Sequence, residues 1–251
     1  MLTTVKNPAE IAAMRESGRM LATVLNILSK QATVGMTTKD LANIAAVELN
    51  KLGGAPAFLG YQGFPDVLCT SINQEVVHGI PSVNRVLQDG DIVSLDFGVI
   101  YKGMITDGAI SLIVGKPISQ KDVDLVKYTE RSLLSGIAAV KDGARTGDIG
   151  AAVEKELSKH GYGIVRDLVG HGVGNELHED PNIPNYGRAN TGVQLKKHMT
   201  IAIEPMSTLR GDRVYIGSDG WTVQTWDDSR SAHFEHTVLI QDDDAEILTV
   251  A

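Results

Sequence analysis

The chain contains 251 residues, with 23 lysines and arginines against 31 aspartates and glutamates, which gives a net charge of −8. This acidic balance argues against binding nucleic acid through its backbone, which depends on clustered positive charge. The single cysteine, Cys69, excludes an intramolecular disulfide and a zinc site made of cysteines alone. The sequence contains no uninterrupted run of about 18 apolar residues, which a membrane span would need, and no signal peptide is recognisable. We therefore expect a cytoplasmic protein without a membrane partner.

The first part of the chain predicts two helices followed by strands. Asn7 can cap a helix start, and Glu10 can reach back to the cap. A second helix is predicted to start at Thr37 or Thr38 and to stop at Gly53. Apolar runs separated by glycine and asparagine turns then predict strands over residues 67–72, 91–100 and 104–114.

The second part repeats this order. Ser119 opens a third helix that ends before Gly143, and Asp148 to Lys159 predicts a fourth. Residues 162–251 are again strand-rich, and no linker or low-complexity run divides the chain. We therefore expect one domain that covers residues 1–251.

An internal similarity relates the two parts at an offset of 108 residues (143 − 35). Gly35-x-x-Thr38-x-Asp40 matches Gly143-x-x-Thr146-x-Asp148, and Val93-Ser94-Leu95-Asp96 falls on Ile201-Ala202-Ile203-Glu204. Two helix-then-sheet halves related by a pseudo-twofold axis would explain the match and would place Asp96 and Glu204 at equivalent points. Chance similarity in a chain rich in glycine and leucine is the alternative.

Four acidic residues lie at or within segments that are predicted to be central strands: Asp96, Asp107, Glu204 and Glu235. A carboxylate in such a place must reach water, a hydrogen-bond donor or a metal, because burying it bare is costly. Any one of them alone would be explained by an edge strand facing solvent. Four together favour a functional site.

Three histidines lie in segments bracketed by glycine or proline. His171 stands between Gly170 and Gly172, while His78 and His178 each precede a proline by three residues. Such segments allow close approach to an imidazole and are typical of active sites as well as of polar surfaces.

Charge indicates what four acids and a histidine could bind. Four carboxylates crowded together would repel one another, and two divalent cations would neutralise them. Oxygen-rich ligation with one imidazole suits Mn²⁺, Fe²⁺, Co²⁺ or Zn²⁺. Paired cations can also activate a water molecule as a nucleophile.

At these residues the chain resembles the type I methionine aminopeptidases of the short bacterial kind, which are metallopeptidases of the M24 or pita-bread family. The resemblance covers nearly the whole length. The motifs that carry it are Val76-Val77-His78-Gly79-Ile80-Pro81, Asp91-Ile92-Val93-Ser94-Leu95-Asp96, Thr106-Asp107, Gly170-His171-Gly172-Val173-Gly174, His178-Glu179-Asp180-Pro181, Ile203-Glu204-Pro205-Met206 and Phe234-Glu235-His236-Thr237. It implies an α+β pita-bread (creatinase/aminopeptidase) fold, with two pseudo-twofold-related halves around a curved, mainly antiparallel sheet.

The resemblance further implies a dinuclear centre of two divalent metal ions, drawn from Co²⁺, Mn²⁺, Fe²⁺ and Zn²⁺. Asp107, His171 and Glu204 would hold one ion, Asp96 the other, and Glu235 would bridge them. The family reaction is removal of the initiator methionine from nascent proteins and peptides with a small second residue. A hydroxide held between the metals would attack the scissile carbonyl.

Roles in substrate binding and catalysis are implied in the same way. Glu204 would transfer the proton, His178 would hydrogen-bond the oxyanion, and His78 would contact the scissile amide on the leaving side. The substrate side chain would lie among Tyr61, Phe64, Cys69, Leu177 and Trp221, whose alternative explanation is plain core packing.

The chain departs from the family pattern at four positions. Phe58 stands where a second cysteine is common, and Leu177 stands where a phenylalanine is common. His233 replaces a frequent glutamine, and Gly108 replaces a small hydroxyl residue. None of these changes removes an expected metal ligand.

The resemblance implies a monomer whose partners are nascent polypeptide N-termini, with the ribosome as a further candidate and no specific nucleic acid. Three alternatives stay open. An Xaa-Pro peptidase of the same fold would carry an additional amino-terminal domain, whereas the first acidic ligand here is already Asp96. A non-catalytic pita-bread binding module would bind no metal. An acidic interaction domain without catalytic chemistry would not explain why His171 lies between two glycines.

Overall fold

The computed structural model describes residues 4–251. Within them the helices are α1 (Pro8–Gln31), α2 (Thr38–Leu52), α3 (Gln120–Ile137) and α4 (Thr146–Ser158). The strands are β1 (Ala55–Pro56), β2 (Cys69–Ile72), β3 (Glu75–Val77), β4 (Ile92–Tyr101), β5 (Met104–Ile113), β6 (Gly163–Ile164), β7 (Gly170–Gly172), β8 (Glu179–Ile183), β9 (Thr200–Ile203), β10 (Met206–Thr208), β11 (Val214–Ile216), β12 (Val223–Thr225), β13 (Ser231–His233), β14 (Glu235–Ile240) and β15 (Ala245–Ile247).

The helix starts follow the sequence signals. The Asn7 side chain accepts hydrogen bonds from the N–H groups of Ala9 and Glu10, and the Glu10 carboxylate accepts one from the N–H of Asn7 at 2.8 Å. The helix α2 ends before Gly53, which adopts the left-handed conformation that glycine tolerates. The helix α3 ends at Ile137, and turns carry the chain on to Gly143.

One antiparallel sheet of nine strands joins both halves of the chain. Its order is β1-β4-β5-β14-β9-β7-β8, with β2 paired to β4 and β15 paired to β14. Its longest pairing, β4 with β5, runs from Ile92 opposite Ile113 to Tyr101 opposite Met104. Two three-stranded sheets, β13-β10-β6 and β11-β12-β3, lie beside it.

Backbone pairing confirms the 108-residue repeat. The bridge between Thr37 and Val86 has its counterpart between Arg145 and Gln194. The N–H of Gly35 donates to the carbonyl of Leu87 at 3.0 Å, and the N–H of Gly143 donates to the carbonyl of Leu195 at the same distance. The helix pairs α1–α2 and α3–α4 are therefore anchored in the same way in each half.

The helices cover one face of the large sheet. Leu95 and Ile203 are fully buried in the apolar clusters of the first and second helix pairs, and Ile110 packs against both clusters. Burying this face is the main source of stability and leaves the opposite face to carry polar chemistry. No helix in residues 4–251 combines the length and apolar character needed to cross a bilayer.

Candidate metal centre and substrate pocket

The strand register places the first-half acids and Glu235 on one face of the sheet. Asp96 in β4 lies opposite Ala109 in β5, which in turn lies opposite Glu235 in β14. Residues that oppose each other in a sheet point to the same side, and so does Asp107, two residues before Ala109. Asp96, Asp107 and Glu235 therefore converge, although they are far apart in sequence.

The same face continues into the second-half strands. Thr237 in β14 lies opposite Ala202 in β9, and Ala202 lies opposite His171 in β7. Glu204 follows two residues after Ala202, so the alternation of side chains returns it to this face. Antiparallel pairing thus places all five expected metal ligands on the side of the sheet away from the helices.

These side chains line one cavity. Ligand atoms of Asp107, His171 and Glu235 all lie within 4.8 Å of one another, and the three residues are buried. All the site residues expected from the sequence reach the same cavity: Tyr61, Phe64, Cys69, His78, Asp96, Asp107, His171, Leu177, His178, Glu204, Trp221 and Glu235.

The orientation of His171 suits a metal ligand. Its Nδ1 lies 2.9 Å from the carbonyl oxygen of Gly172, which can only accept, so Nδ1 carries the proton. The Nε2 lone pair is left free and lies 3.4 Å from Oε1 of Glu204. Burial lowers the pKa of His171 to about 3, which keeps the ring neutral, as metal ligation requires.

The carboxylates are crowded without a counter-charge. Burial, together with neighbouring acids, raises the pKa of Asp96, Glu204 and Glu235 well above the usual range, and burial raises the pKa of Asp107 to about 7. Oδ1 of Asp96 and Oε1 of Glu235 are buried without a hydrogen-bond partner among the described residues. Divalent cations would neutralise this cluster and satisfy both oxygens, so the donor set fits a metal centre.

Hydrogen bonds to the second half of the chain hold the backbone at Asp107 in place. Its N–H donates to Oγ1 of Thr237 at 2.9 Å, and the Thr237 hydroxyl donates to the Asp107 carbonyl at 2.8 Å. The side chain of Asn185 likewise donates to the carbonyl of Glu204 at 3.0 Å. These bonds hold the acid-bearing backbones in place independently of any ion.

Two further histidines lie beside the cluster. The His178 ring centroid lies 4.2 Å from that of His171, and its Nδ1 lies 2.8 Å from the hydroxyl of Tyr61. Burial, with a contribution from His178, lowers the pKa of His78 to about 4, and burial also lowers the pKa of His178. Both rings are therefore neutral near pH 7 and are suited to donating hydrogen bonds rather than to acting as cations.

The other end of the cavity is apolar and aromatic. Phe64 meets Trp221 edge to face with centroids 5.2 Å apart, and it meets Phe58 in the same way at 6.5 Å. Cys69 and Leu177 belong to the same buried cluster. Burial and the nearby acids raise the pKa of the Cys69 thiol well above its usual range, so this cysteine lines the pocket as a thiol.

The structure adds residues to which the sequence assigned no role. Gln62 and Phe58 line the cavity, and His233 is buried with Nε2 3.8 Å from Oε2 of Glu204. For His233 a signal was present, because it lies two residues before Glu235 and alternation favours the same face. For Gln62 and Asn185 no local pattern indicated the position.

The fold and this cluster together define a metallopeptidase scaffold. Residues 12–242 match the sequence model of Metallopeptidase family M24, and the chain belongs to that family. The match covers most of the chain and includes every candidate ligand.

Within this family, the chain is similar over its full length to methionine aminopeptidases. The chain is 45% identical over 246 residues to the methionine aminopeptidase of Clostridium acetobutylicum, an alignment that covers 98% of each protein. It superimposes on the crystal structure of methionine aminopeptidase from Thermotoga maritima with a TM-score of 0.98 and 44% identity over the whole of both chains. The expected pita-bread fold is thereby confirmed.

A prolidase from Pyrococcus furiosus shares the fold alone. Its TM-score is 0.79 at 22% identity, and the match covers 98% of this chain but only 65% of the prolidase. The relatives therefore favour the methionine-specific branch of the family over the Xaa-Pro branch.

Proposed function

We propose that this chain is a methionine aminopeptidase, which removes the N-terminal methionine from peptides and proteins whose second residue is small. The observation that carries the proposal is the single cavity with a carboxylate and imidazole wall at one end and an aromatic pocket at the other. The similarity to methionine aminopeptidases over the full length supports it.

Asp96, Asp107, His171, Glu204 and Glu235 would hold the metal. We propose two divalent ions, because four carboxylates carry a charge of −4 that two such ions would balance. The ligands accept Co²⁺, Mn²⁺, Fe²⁺ or Zn²⁺. When bound, the ions supply Lewis acidity, which polarises a carbonyl group and lowers the pKa of water.

The aromatic end of the cavity is suited to the methionine side chain. A thioether interacts well with aromatic edges and with another sulfur atom, and Phe64, Trp221 and Cys69 offer these contacts. Tyr61 and Leu177 complete this wall. The pocket therefore binds an unbranched apolar side chain and excludes water from the neighbouring scissile bond.

The residues of the chain account for the proton movements. Water attacks the scissile carbonyl carbon, Glu204 accepts the proton that the water loses, and the carbon–nitrogen bond breaks as that proton passes to the leaving amine. We propose that the Tyr61 hydroxyl, 2.8 Å from Nδ1 of His178, donates to that nitrogen, so that Nε2 of the neutral ring carries the proton and donates a hydrogen bond to the oxyanion. His78 contacts the amide on the leaving side.

The resemblance also supports a physiological setting. We propose that the substrates are nascent polypeptide N-termini, and that the enzyme works as a cytoplasmic monomer. The ribosome is a candidate contact, because nascent chains emerge there.

A comparison of three peptides tests the proposed activity. The protein, supplemented with Co²⁺, should cleave Met-Ala-Ser, should cleave Met-Leu-Ser at least about tenfold more slowly, and should leave Ala-Pro-Ser intact. Preferential cleavage of Ala-Pro-Ser would favour an Xaa-Pro peptidase. Bound metal without cleavage of any peptide would favour a non-catalytic binding module.

A further inference from the structure

His233 is a buried imidazole beside the proposed metal ligands. It ends β13 and is only 1% exposed. Its Nε2 lies 3.8 Å from Oε2 of Glu204 and 3.9 Å from Oε2 of Glu235. The ring therefore faces the carboxylate of Glu204, which follows β9, and that of Glu235, which begins β14.

The ring of His233 has no hydrogen-bond partner at either nitrogen among residues 4–251. Burying an unpaired polar ring is unfavourable, and such groups in proteins usually have a partner. The backbone of His233 needs no help from the ring: its N–H donates to Oγ of Ser111 at 2.9 Å, and the Ser111 hydroxyl donates to its carbonyl at 2.8 Å. An apolar side chain would fill the same space, so packing does not explain the imidazole.

The distances from His233 suit a shared cation better than a direct hydrogen bond. A separation of 3.8 Å or 3.9 Å is too long for a hydrogen bond. Two donor atoms bound to one ion at about 2.0–2.2 Å lie about 3–4 Å apart, depending on the angle between them. Nε2 of His171 lies 3.4 Å from Oε1 of Glu204, within the same range. Glu204 is thus flanked by two imidazoles, one at each carboxylate oxygen.

We propose that His233 supplies a second imidazole nitrogen to the metal centre, through Nε2 and beside Glu204 or Glu235. This inference rests on the proposed metal centre and extends its ligand set. A second nitrogen donor beside His171 shifts the preference of the site toward Co²⁺ and Zn²⁺ and away from Mn²⁺, because carboxylate oxygens suit Mn²⁺ whereas imidazole suits the later first-row ions.

Proton NMR of the cobalt-loaded protein tests the inference without an activity assay. Each coordinated imidazole that keeps an N–H gives one strongly shifted, exchangeable resonance. We expect two such resonances in the unaltered protein and one in His233→Gln. We also expect His233→Gln to bind Co²⁺ at least about tenfold more weakly, measured by competition with a chelator.

His236, three residues after His233 in the sequence, provides a matched control. His236 is also a mostly buried histidine, but its Nδ1 lies 2.8 Å from the hydroxyl of Thr249, on the helix side of the sheet. His236→Gln should keep both resonances and the affinity for Co²⁺. His233→Asn serves as a second variant if His233→Gln does not fold.

The outcomes separate the two proposals. A single exchangeable resonance in the unaltered cobalt-loaded protein would overturn the role of His233 and leave the metal centre intact, whether or not any variant folds. Unchanged resonances and affinity in His233→Gln would do the same. No cobalt binding by the unaltered protein would overturn the metal centre itself, and the proposed function with it.

Discussion

Tyr61 holds His178 by a hydrogen bond of 2.8 Å between its hydroxyl and Nδ1 of the ring. The two rings also stack at a tilt, with centroids 5.4 Å apart. When the hydroxyl donates to Nδ1, the proton of the neutral ring lies on Nε2. The pocket residue and the candidate oxyanion donor therefore act as one unit.

Replacing Tyr61 by Phe should lower kcat about tenfold with little change in bound metal, because His178 would lose its fixed tautomer while the ligands stay in place. Steady-state kinetics with Met-Ala-Ser and metal analysis measure both quantities. Tyr215→Phe is the control, since the Tyr215 hydroxyl bonds Gln224 on an exposed hairpin. Equal kinetics for Tyr61→Phe and the unaltered protein would contradict the coupling.

Substituting the two neighbouring histidines should separate metal ligation from transition-state stabilisation. His171→Ala should lose bound metal and all metal-dependent turnover. His178→Ala should keep its metal while kcat falls by about 10²-fold or more, as expected for loss of an oxyanion donor. Elemental analysis beside kcat checks this, and an equal loss of metal in both variants would show that His178 is a ligand.

Lys6 should contribute strongly to stability. Its ammonium lies 3.3 Å from Oε2 of Glu179, with both side chains buried, and Glu179 also accepts from the N–H groups of Asn175 and Glu176 beside His178. Lys6→Met should lower the free energy of unfolding by about 3–5 kcal/mol, because it removes one partner of a buried ion pair. Chemical denaturation measures the change.

Arg15→Met provides the comparison for Lys6→Met. Arg15 pairs with Glu246 at 2.7 Å, but the Arg15 side chain is 51% exposed, so breaking this pair should cost only about 0–1 kcal/mol. Similar losses in the two variants would mean that the pair between Lys6 and Glu179 acts as an ordinary surface contact.

The metal-free protein should lose stability as the pH rises through about 7. Burial raises the pKa of Asp107 to about 7. An acid whose pKa is higher in the folded chain contributes stability that is fully present below its unfolded pKa and is lost as the pH rises through the folded value. Asp96, Glu204 and Glu235, whose pKa values burial also raises, act in the same direction.

The informative range is pH 6.5 to 8. Below about 6.5 the buried histidines oppose this trend, because burial lowers the pKa of His78 to about 4 and that of His171 to about 3. Thermal melting in the presence of a chelator should show a falling Tm across this range, and Asp107→Asn should flatten the fall. Added Co²⁺ should stabilise more at pH 8 than at pH 6.5. A Tm that rises with pH in the chelated protein would contradict the crowded-acid account.

Local features of the fold were predictable from the sequence because they depend on neighbouring residues. The cap at Asn7 and the stop at Gly53 each involve only a few positions. Helix α1 begins directly after Asn7, and α2 ends directly before Gly53. The 108-residue repeat was also visible, because the same anchoring turn is needed twice. The motifs and the resemblance named the site residues, and the structure brings these residues into one cavity.

Long-range contacts were not predictable from local patterns. Lys6 lies 173 residues from Glu179 in sequence, and nothing near Lys6 indicates that it is buried. His233 stood out as a departure, but its orientation depends on hydrogen bonds to Ser111, 122 residues away. Such contacts follow from the tertiary arrangement of distant segments, which local patterns in a single sequence do not specify.

The most direct test of the account is a metal titration of the chelator-treated protein with Met-Ala-Ser as substrate. We predict no turnover when bound metal has been removed, turnover that rises as Co²⁺ is added, and none at any Co²⁺ concentration for Asp107→Ala. Undiminished release of methionine by the metal-stripped protein would contradict the claim that the carboxylates and His171 form the catalytic centre.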